Sequence, residues 1–304
     1  MASSAPDPLD VSTDDLRYLL AVARAGRLVS AATLLGVDHT TVRRRLDRLE
    51  SALGVRLLDR GADGWELTAI GRDVVAQAAP LEHLVDQVVV AASGKEGIRG
   101  TVRVVAPEGF GVLFVAPCLA RVQAEHPGIT VELVTSTTPL SLRGSGYDLA
   151  VTVGSAATSR LESEPLTEYS HRLYASREYL AAHPPIRSIA DLDAHRLVFY
   201  IDALLTVREL DLAPVFTGMQ VGFGSTNVFA QLEATRNGAG IGLLHSFMAE
   251  SDDRLVRVLP DLVDFRLQFS LSVRRDALAV DAVSTVREAL RREVRECRAQ
   301  LLPD

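Results

Sequence analysis

The chain has 304 residues, 47% hydrophobic and 23% charged, ordinary proportions for a soluble globular protein with room for two or three cored domains. Its net charge of −7 argues against a nonspecific nucleic-acid coat, yet residues 1–72 carry ten Arg against ten Asp or Glu, so the acidic excess belongs to the remainder. Two cysteines, Cys118 and Cys297, cannot build a disulfide framework; with no apolar signal region in the first ten residues and no run of 18 apolar residues, the expectation is a cytoplasmic chain without a membrane span.

In chain order, Leu16, Leu19, Leu20 and Ala23 predict a first helix over 13–25. A short second helix ends in a tight turn at Gly36, and a third follows. In it Val42, Leu46 and Leu49 fall at i, i+4 and i+7 and share a buried face, with Asp38 where an N-cap belongs. At about 100° per residue, Thr40 and Arg44 point away from that stripe and Thr41 and Arg43 flank it. An exposed face of Thr and Arg behind a docking helix is the geometry that reads a DNA major groove; a surface helix with a solvated arginine face fits the same pattern. Segments 55–60 and 65–68 predict a small hairpin, making residues 10–68 a winged helix-turn-helix. Thr68 then caps a long helix over 69–92, whose apolar positions exceed what one small domain covers and so suit a partner chain. Pro80 should kink it or remove a hydrogen bond, and residues 93–100 read as a hinge.

From Thr101 the pattern changes. Strands are predicted over 101–106, 129–134, 148–153, 197–200, 220–223, 241–245 and 267–273, with a helix ending near 125 and a last helix over 279–298. The alternation implies an α/β domain over 101–304 with a largely parallel sheet.

Several segments, in order, resemble the LysR-type transcriptional regulators. They are Asp15–Val22, Ala31-Ala32, Leu35-Gly36-Val37, Leu49–Gly54, Leu67–Gly71, Val115-Ala-Pro117 through Glu125-His-Pro127, Tyr147–Val151, Glu164-Pro-Leu166 and Gly238–Gly242. The resemblance covers essentially the whole chain. There are departures: Arg27 and Val29 stand where the family has small hydroxyl residues, Leu58 where Phe is common, and His245 where proline often follows. The recognition helix opens His39-Thr-Thr-Val-Arg rather than with a Gln-Pro-Ala-Val-Ser-like run, and the wing carries Asp63 and Glu66 rather than a basic cluster.

The resemblance implies a mainly α winged helix-turn-helix, a linker helix and a two-subdomain α/β effector region like periplasmic binding proteins. Subdomain I would hold 101–160 and 267–304, subdomain II 161–266. Implied partners are double-stranded DNA, a small-molecule effector, RNA polymerase and further copies of the chain as a homodimer or a homotetramer. By family position His39, Thr40, Thr41, Arg43 and Arg44 approach base edges and flanking phosphates, while Arg27 and Arg60 suit phosphate. Arg44 is expected to be the strongest reader; Asp47 on the same face reads as solvated or as an ion-pair partner of Arg43. Effector binding falls to four loops: Pro107, Glu108 and Gly109; Thr135, Ser136 and Thr137; Tyr200, Ile201 and Asp202; Ser225, Thr226 and Asn227. Their hydroxyls and amides suit a small polar ligand, such as a carboxylate over a helix N-terminus, although the same residue types favour loops and caps anyway. Glu108 would oppose an anion and favour an amine.

An enzyme is not expected. The chain has no Gly-x-Ser-x-Gly elbow, no P-loop and no His-Glu-x-x-His pair, and its seven histidines are scattered, so no catalytic residue, metal or cofactor is assigned. Cys118 and Cys297 read as packing residues, with redox sensing the alternative. The rival function is a cytosolic small-molecule sensing module that does not bind DNA.

Overall fold

The computed structural model describes residues 7–61, 64–82, 84, 85, 88, 97–136, 147–154, 161–201 and 218–303. The chain divides into two compact units, residues 1–100 with 140–147, and residues 101–139 with 148–304.

The amino-terminal unit runs α1 (Thr13–Ala25), α2 (Leu28–Leu35), α3 (His39–Leu53), a hairpin of β1 (Leu58–Gly61) and β2 (Gly64–Leu67), then α4 (Ala69–Ala78). The stripe Val42, Leu46 and Leu49 is fully buried against Leu19, Leu20, Ala31, Ala32, Leu57 and Val75. Gly36, with φ of 65°, takes the left-handed conformation that ends α2 and lets α3 begin three residues later. Glu50 ties the wing to α3, its carboxylate accepting from Leu57 N at 2.7 Å and Leu58 N at 3.0 Å. Gly71 is required on space alone, because a Cβ there would meet the Leu57 carbonyl oxygen at 2.1 Å. Thr68 caps α4, accepting from Gly71 N at 2.9 Å. The helix stops at Ala78 and turns before Pro80, while residues 80–82 are helical again. Much of the predicted 83–92 stretch, and residues 93–96 of the predicted hinge, lie outside the described residues.

The second unit is built on one nine-stranded sheet with the path β4-β3-β5-β11-β6-β9-β7-β8, where β10 pairs with β6 off that path. Its strands are β3 (Gly100–Pro107), β4 (Ile129–Ser136), β5 (Leu149–Val153), β6 (Leu161–Ser176), β7 (Arg196–Phe199), β8 (Gln220–Gly224), β9 (Ile241–His245), β10 (Leu255–Val258) and β11 (Phe265–Arg274). After β3, one turn (Glu108–Phe110) and a π-helical turn (Gly111–Val115) lead into α5 (Ala116–Glu125). Helices α6 (Arg177–Ala182), α7 (Val228–Arg236), α8 (Ser246–Ala249) and α9 (Asp281–Glu296) follow.

The sheet is mixed rather than largely parallel. β3 with β5, β7 with β8 and β7 with β9 run parallel, but β11 lies antiparallel to both β5 and β6, and β6 antiparallel to β9 and β10. The long β6 makes the difference. Its first part pairs with β11, and from His171 onward it pairs with β9 and then β10, so one strand serves two stretches of sheet. Glu164 on β6 receives Arg287 and Arg291 from α9, fixing the last helix to that strand.

Candidate nucleic-acid interface and effector loops

Asp38 caps α3: its Oδ1 accepts from Thr40 N at 2.8 Å and from the Thr40 hydroxyl at 2.6 Å. These bonds, the hydroxyl's first, hold the Asp38 carboxyl below its ordinary pKa. The Thr40 hydroxyl hydrogen is therefore spent on the cap, leaving its methyl and lone pairs facing outward. His39 is exposed, 3.6 Å from the Asp38 carboxylate, and Thr41 is half-buried.

The three arginines that follow separate cleanly. Arg43 pairs with Asp47 at 2.6 Å and lies over the Trp65 ring of the wing, 4.1 Å from its centroid. Arg45 turns inward to Asp15, which is only 1% exposed, at 3.0 Å, and also meets Asp14. Arg44 is exposed, and among the described residues no ion pair or hydrogen bond engages it. Arg60, also exposed, lies 5.6 Å from the Trp65 ring centroid, so the indole meets an arginine from α3 and one from its own hairpin. Arg27 sits exposed at the N-cap position of α2, its side chain making no cap bond. Asp38, Arg43 and Trp65 thus form a fixed scaffold on and beside α3, next to which Arg44 is exposed and unengaged among the described residues, while His39 lies against Asp38 and Arg27 stands exposed at the start of α2.

Among the four loops expected to bind an effector, the structure brings the first and last together. Glu108 Oε1 accepts from Asn227 Nδ2 at 2.6 Å and Glu108 Oε2 from Val228 N at 3.3 Å, across 119 residues of chain in the first case. Asn227 meanwhile caps α7 by accepting from Ala230 N at 2.8 Å. Ser225 accepts from Asn227 N at 3.1 Å, donates its own N–H to the Phe199 carbonyl, and its carbonyl receives Gln231 Nε2 at 2.7 Å. Gly109 packs so closely that a Cβ would stand 3.1 Å from Met248 Sδ and 3.3 Å from Val228. Tyr200 is buried; burial first, then the Glu108 charge, raises its hydroxyl pKa. Pro107 opens the turn that carries Glu108, Thr226 is half-buried, Ile201 packs beside Gly224, and Thr135 lies against Gly111. The side chain of Ser136, and Thr137 and Asp202 altogether, lie outside the described residues.

Residues 13–72 match the family model for the bacterial regulatory helix-turn-helix protein, lysR family, and residues 95–295 match the LysR substrate binding domain. The chain belongs to the LysR family. It is similar to an HTH-type transcriptional regulator from Xanthomonas campestris pv. campestris (strain 8004), 28% identical over 184 residues that make up 60% of this chain and 54% of that one. The alignment thus spans about half of that relative's length. The fold is shared with LysG from Corynebacterium glutamicum with bound effector Arg, at 19% identity and TM-score 0.65 over 94% of this chain and 99% of that one. It is shared also with full-length CbnR complexed with its target DNA, at 21% identity and TM-score 0.57 over 93% and 100%.

Within this LysR-family chain, sequence reasoning missed a histidine pair. His171 on β6 faces His245 on β9 in direct register, with ring centroids 4.1 Å apart. Tyr169, stacked on Phe269 at 3.9 Å, and Phe247 border them. Burial pushes His245 down to about 3 and His171 well below its ordinary value. Both ring nitrogens of His171 are buried with no partner among the described residues. The signal was absent because β6 itself was not predicted. Cys118 is buried with its thiol pushed up to about 11, chiefly by that burial, which leaves it a poor nucleophile at neutral pH. Among the described residues no group of three His, Cys, Asp or Glu could hold a metal ion, and no helix is long and apolar enough to cross a membrane.

Proposed function

We propose that this chain is a LysR-type transcriptional regulator, not an enzyme, that reads double-stranded DNA through α3 and responds to a small-molecule effector held by residues 101–304. The observation that carries the reading is Arg44. A cation on a capped, packed helix, exposed and unengaged among the described residues, is a group whose partner lies outside the unit. Its fork fits guanine O6 and N7 in a major groove. His39 and the outward parts of Thr40 and Thr41 fill in the same face, with Arg27 and Arg60 placed for phosphate.

In this reading residues 10–68 form the DNA-binding domain, 69–92 a dimerisation helix, 93–100 a hinge and 101–304 the effector domain. The cleft loops lie between subdomain I (101–160 and 267–304) and subdomain II (161–266). One small module offers little contact area, so two half-sites and a homodimer are needed, with a homotetramer as the larger assembly. The exposed Leu84, Val85 and Val88 supply an apolar face for that pairing. The bound DNA of CbnR and the bound Arg of LysG support the two ligand classes by likeness of fold. RNA polymerase is a further partner if the chain activates rather than represses, and carries no residue assignment.

Footprinting on the DNA flanking the protein's own gene tests the reading. The expected result is protection of an interrupted palindrome that shifts when the effector is added. A chain that protects no duplex at any concentration, yet binds small molecules, would establish the DNA-free sensing module instead.

A further inference from the structure

The start of α7 already holds a carboxylate. Each oxygen of Glu108 takes one donor there, Asn227 Nδ2 at 2.6 Å and Val228 N at 3.3 Å. The amino end of a nine-residue helix carries partial positive charge and unpaired N–H groups, the environment in which a ligand anion would settle. Among the described residues no arginine pairs with Glu108, so these donors supply the compensation that the structure gives its charge. Tyr200 is about nine-tenths buried and feels that charge, and its hydroxyl has no hydrogen-bond partner among the described residues. The next residue, Gly109, is seated against Met248 and Val228, whose side chains would have to give by a few tenths of an ångström to admit a Cβ, so the turn that carries Glu108 is closely packed on α7.

We propose that Glu108 is a built-in ligand: its carboxylate fills the anion-binding end of α7, so the native cleft refuses free carboxylates at that point. Removing the side chain converts the same donors into a site for small carboxylic acids. The effector of the native protein is then a molecule that does not present a carboxylate to α7, which excludes binding of the α-carboxylate type at this end of the cleft. This consequence for the effector rests on the cleft reading above. The occupancy itself does not, and its test involves no DNA, so failure here and failure to bind DNA are separate results.

The test is thermal unfolding of the full chain, as wild type, Glu108→Ala and Glu108→Gln, titrated with sodium acetate against sodium chloride at matched ionic strength. Glu108→Ala is expected to melt about 2–6 °C lower and to regain at least half of that loss with acetate, while the wild type does not respond. Glu108→Gln keeps the shape but sets an amide N–H against the Val228 N–H, so it is expected to melt lower than wild type and to ignore acetate, since the site stays filled. It carries the test should the alanine variant not fold. Wild-type melting in the glutamine variant, an alanine variant that acetate does not rescue, or a wild type that gains as much from acetate as the variant would each overturn the proposal.

Discussion

Three successive arginines on α3 meet different fates: Arg43 is held by Asp47 and Trp65, Arg45 by the buried Asp15, and Arg44 faces outward unengaged among the described residues. Around α7 the described polar side chains are mostly engaged, the Tyr200 hydroxyl being an exception. Glu108, Asn227, Ser225 and Gln231 bond to one another or to the backbone in a closed circuit. The comparison separates two ways of preparing a site. A side chain left exposed beside fixed neighbours is the kind proposed for an external partner, whereas a carboxylate already met by two donors is the built-in ligand proposed at α7. The same residue types, Arg on a helix or Glu on a loop, do opposite work according to what holds them.

The contrast can be broken at the scaffold first. Leu46→Ala empties a fully buried position under the α3 stripe and should cost about 2–5 kcal/mol of the amino-terminal unit's stability. Denaturant unfolding would read it, and DNA binding should fall with folding rather than separately from it. In the second unit, acid tests the histidine pair. Folded, His171 and His245 are held neutral well below their ordinary value of 6.5; unfolded, both take protons below 6.5. Their contribution is therefore complete above pH 6.5 and is lost as pH falls below it, for His245 as far as about 3, by about 1.4 kcal/mol per pH unit for each histidine still neutral in the folded chain. His245→Phe should flatten the slope by one proton. An unchanged slope between pH 6.5 and 5 would show that the ring is not held neutral.

A smaller effect is expected at the wing. Thr68→Ala removes the α4 cap and the Thr68 hydroxyl's bond to the Arg56 carbonyl, for a loss of about 1 kcal/mol. The smallest effect on folding belongs to Arg44→Ala, which should leave the melting temperature within experimental scatter because the side chain supports nothing in the unit. A clear drop would mean that Arg44, like Arg43, is a structural group.

Much of this was legible in the sequence where the signal is local. The buried stripe of α3, its Asp38 cap, the hairpin and the strands at 241–245 and 267–273 follow from spacing and capping chemistry. β6 was not legible, because Glu162, Ser163, Glu164 and Pro165 break the alternation at its start and burial becomes continuous further on. Without it the antiparallel centre of the sheet and the His171–His245 register could not be read. The Glu108–Asn227 bond joins residues 119 apart, beyond any local pattern, although each was assigned to the cleft. Helical angle placed Arg43 beside the exposed face but could not show that Trp65, from the wing, would cover it.

Fluorescence anisotropy with a labelled duplex carrying the footprinted site, comparing wild type with Arg44→Ala at one salt concentration, tests the central assignment most directly. The expected result is a loss of about 1–3 kcal/mol in binding, roughly 5- to 150-fold, with relaxed preference for the site over a scrambled duplex and unchanged melting. Equal affinity and equal preference in the two proteins would contradict it.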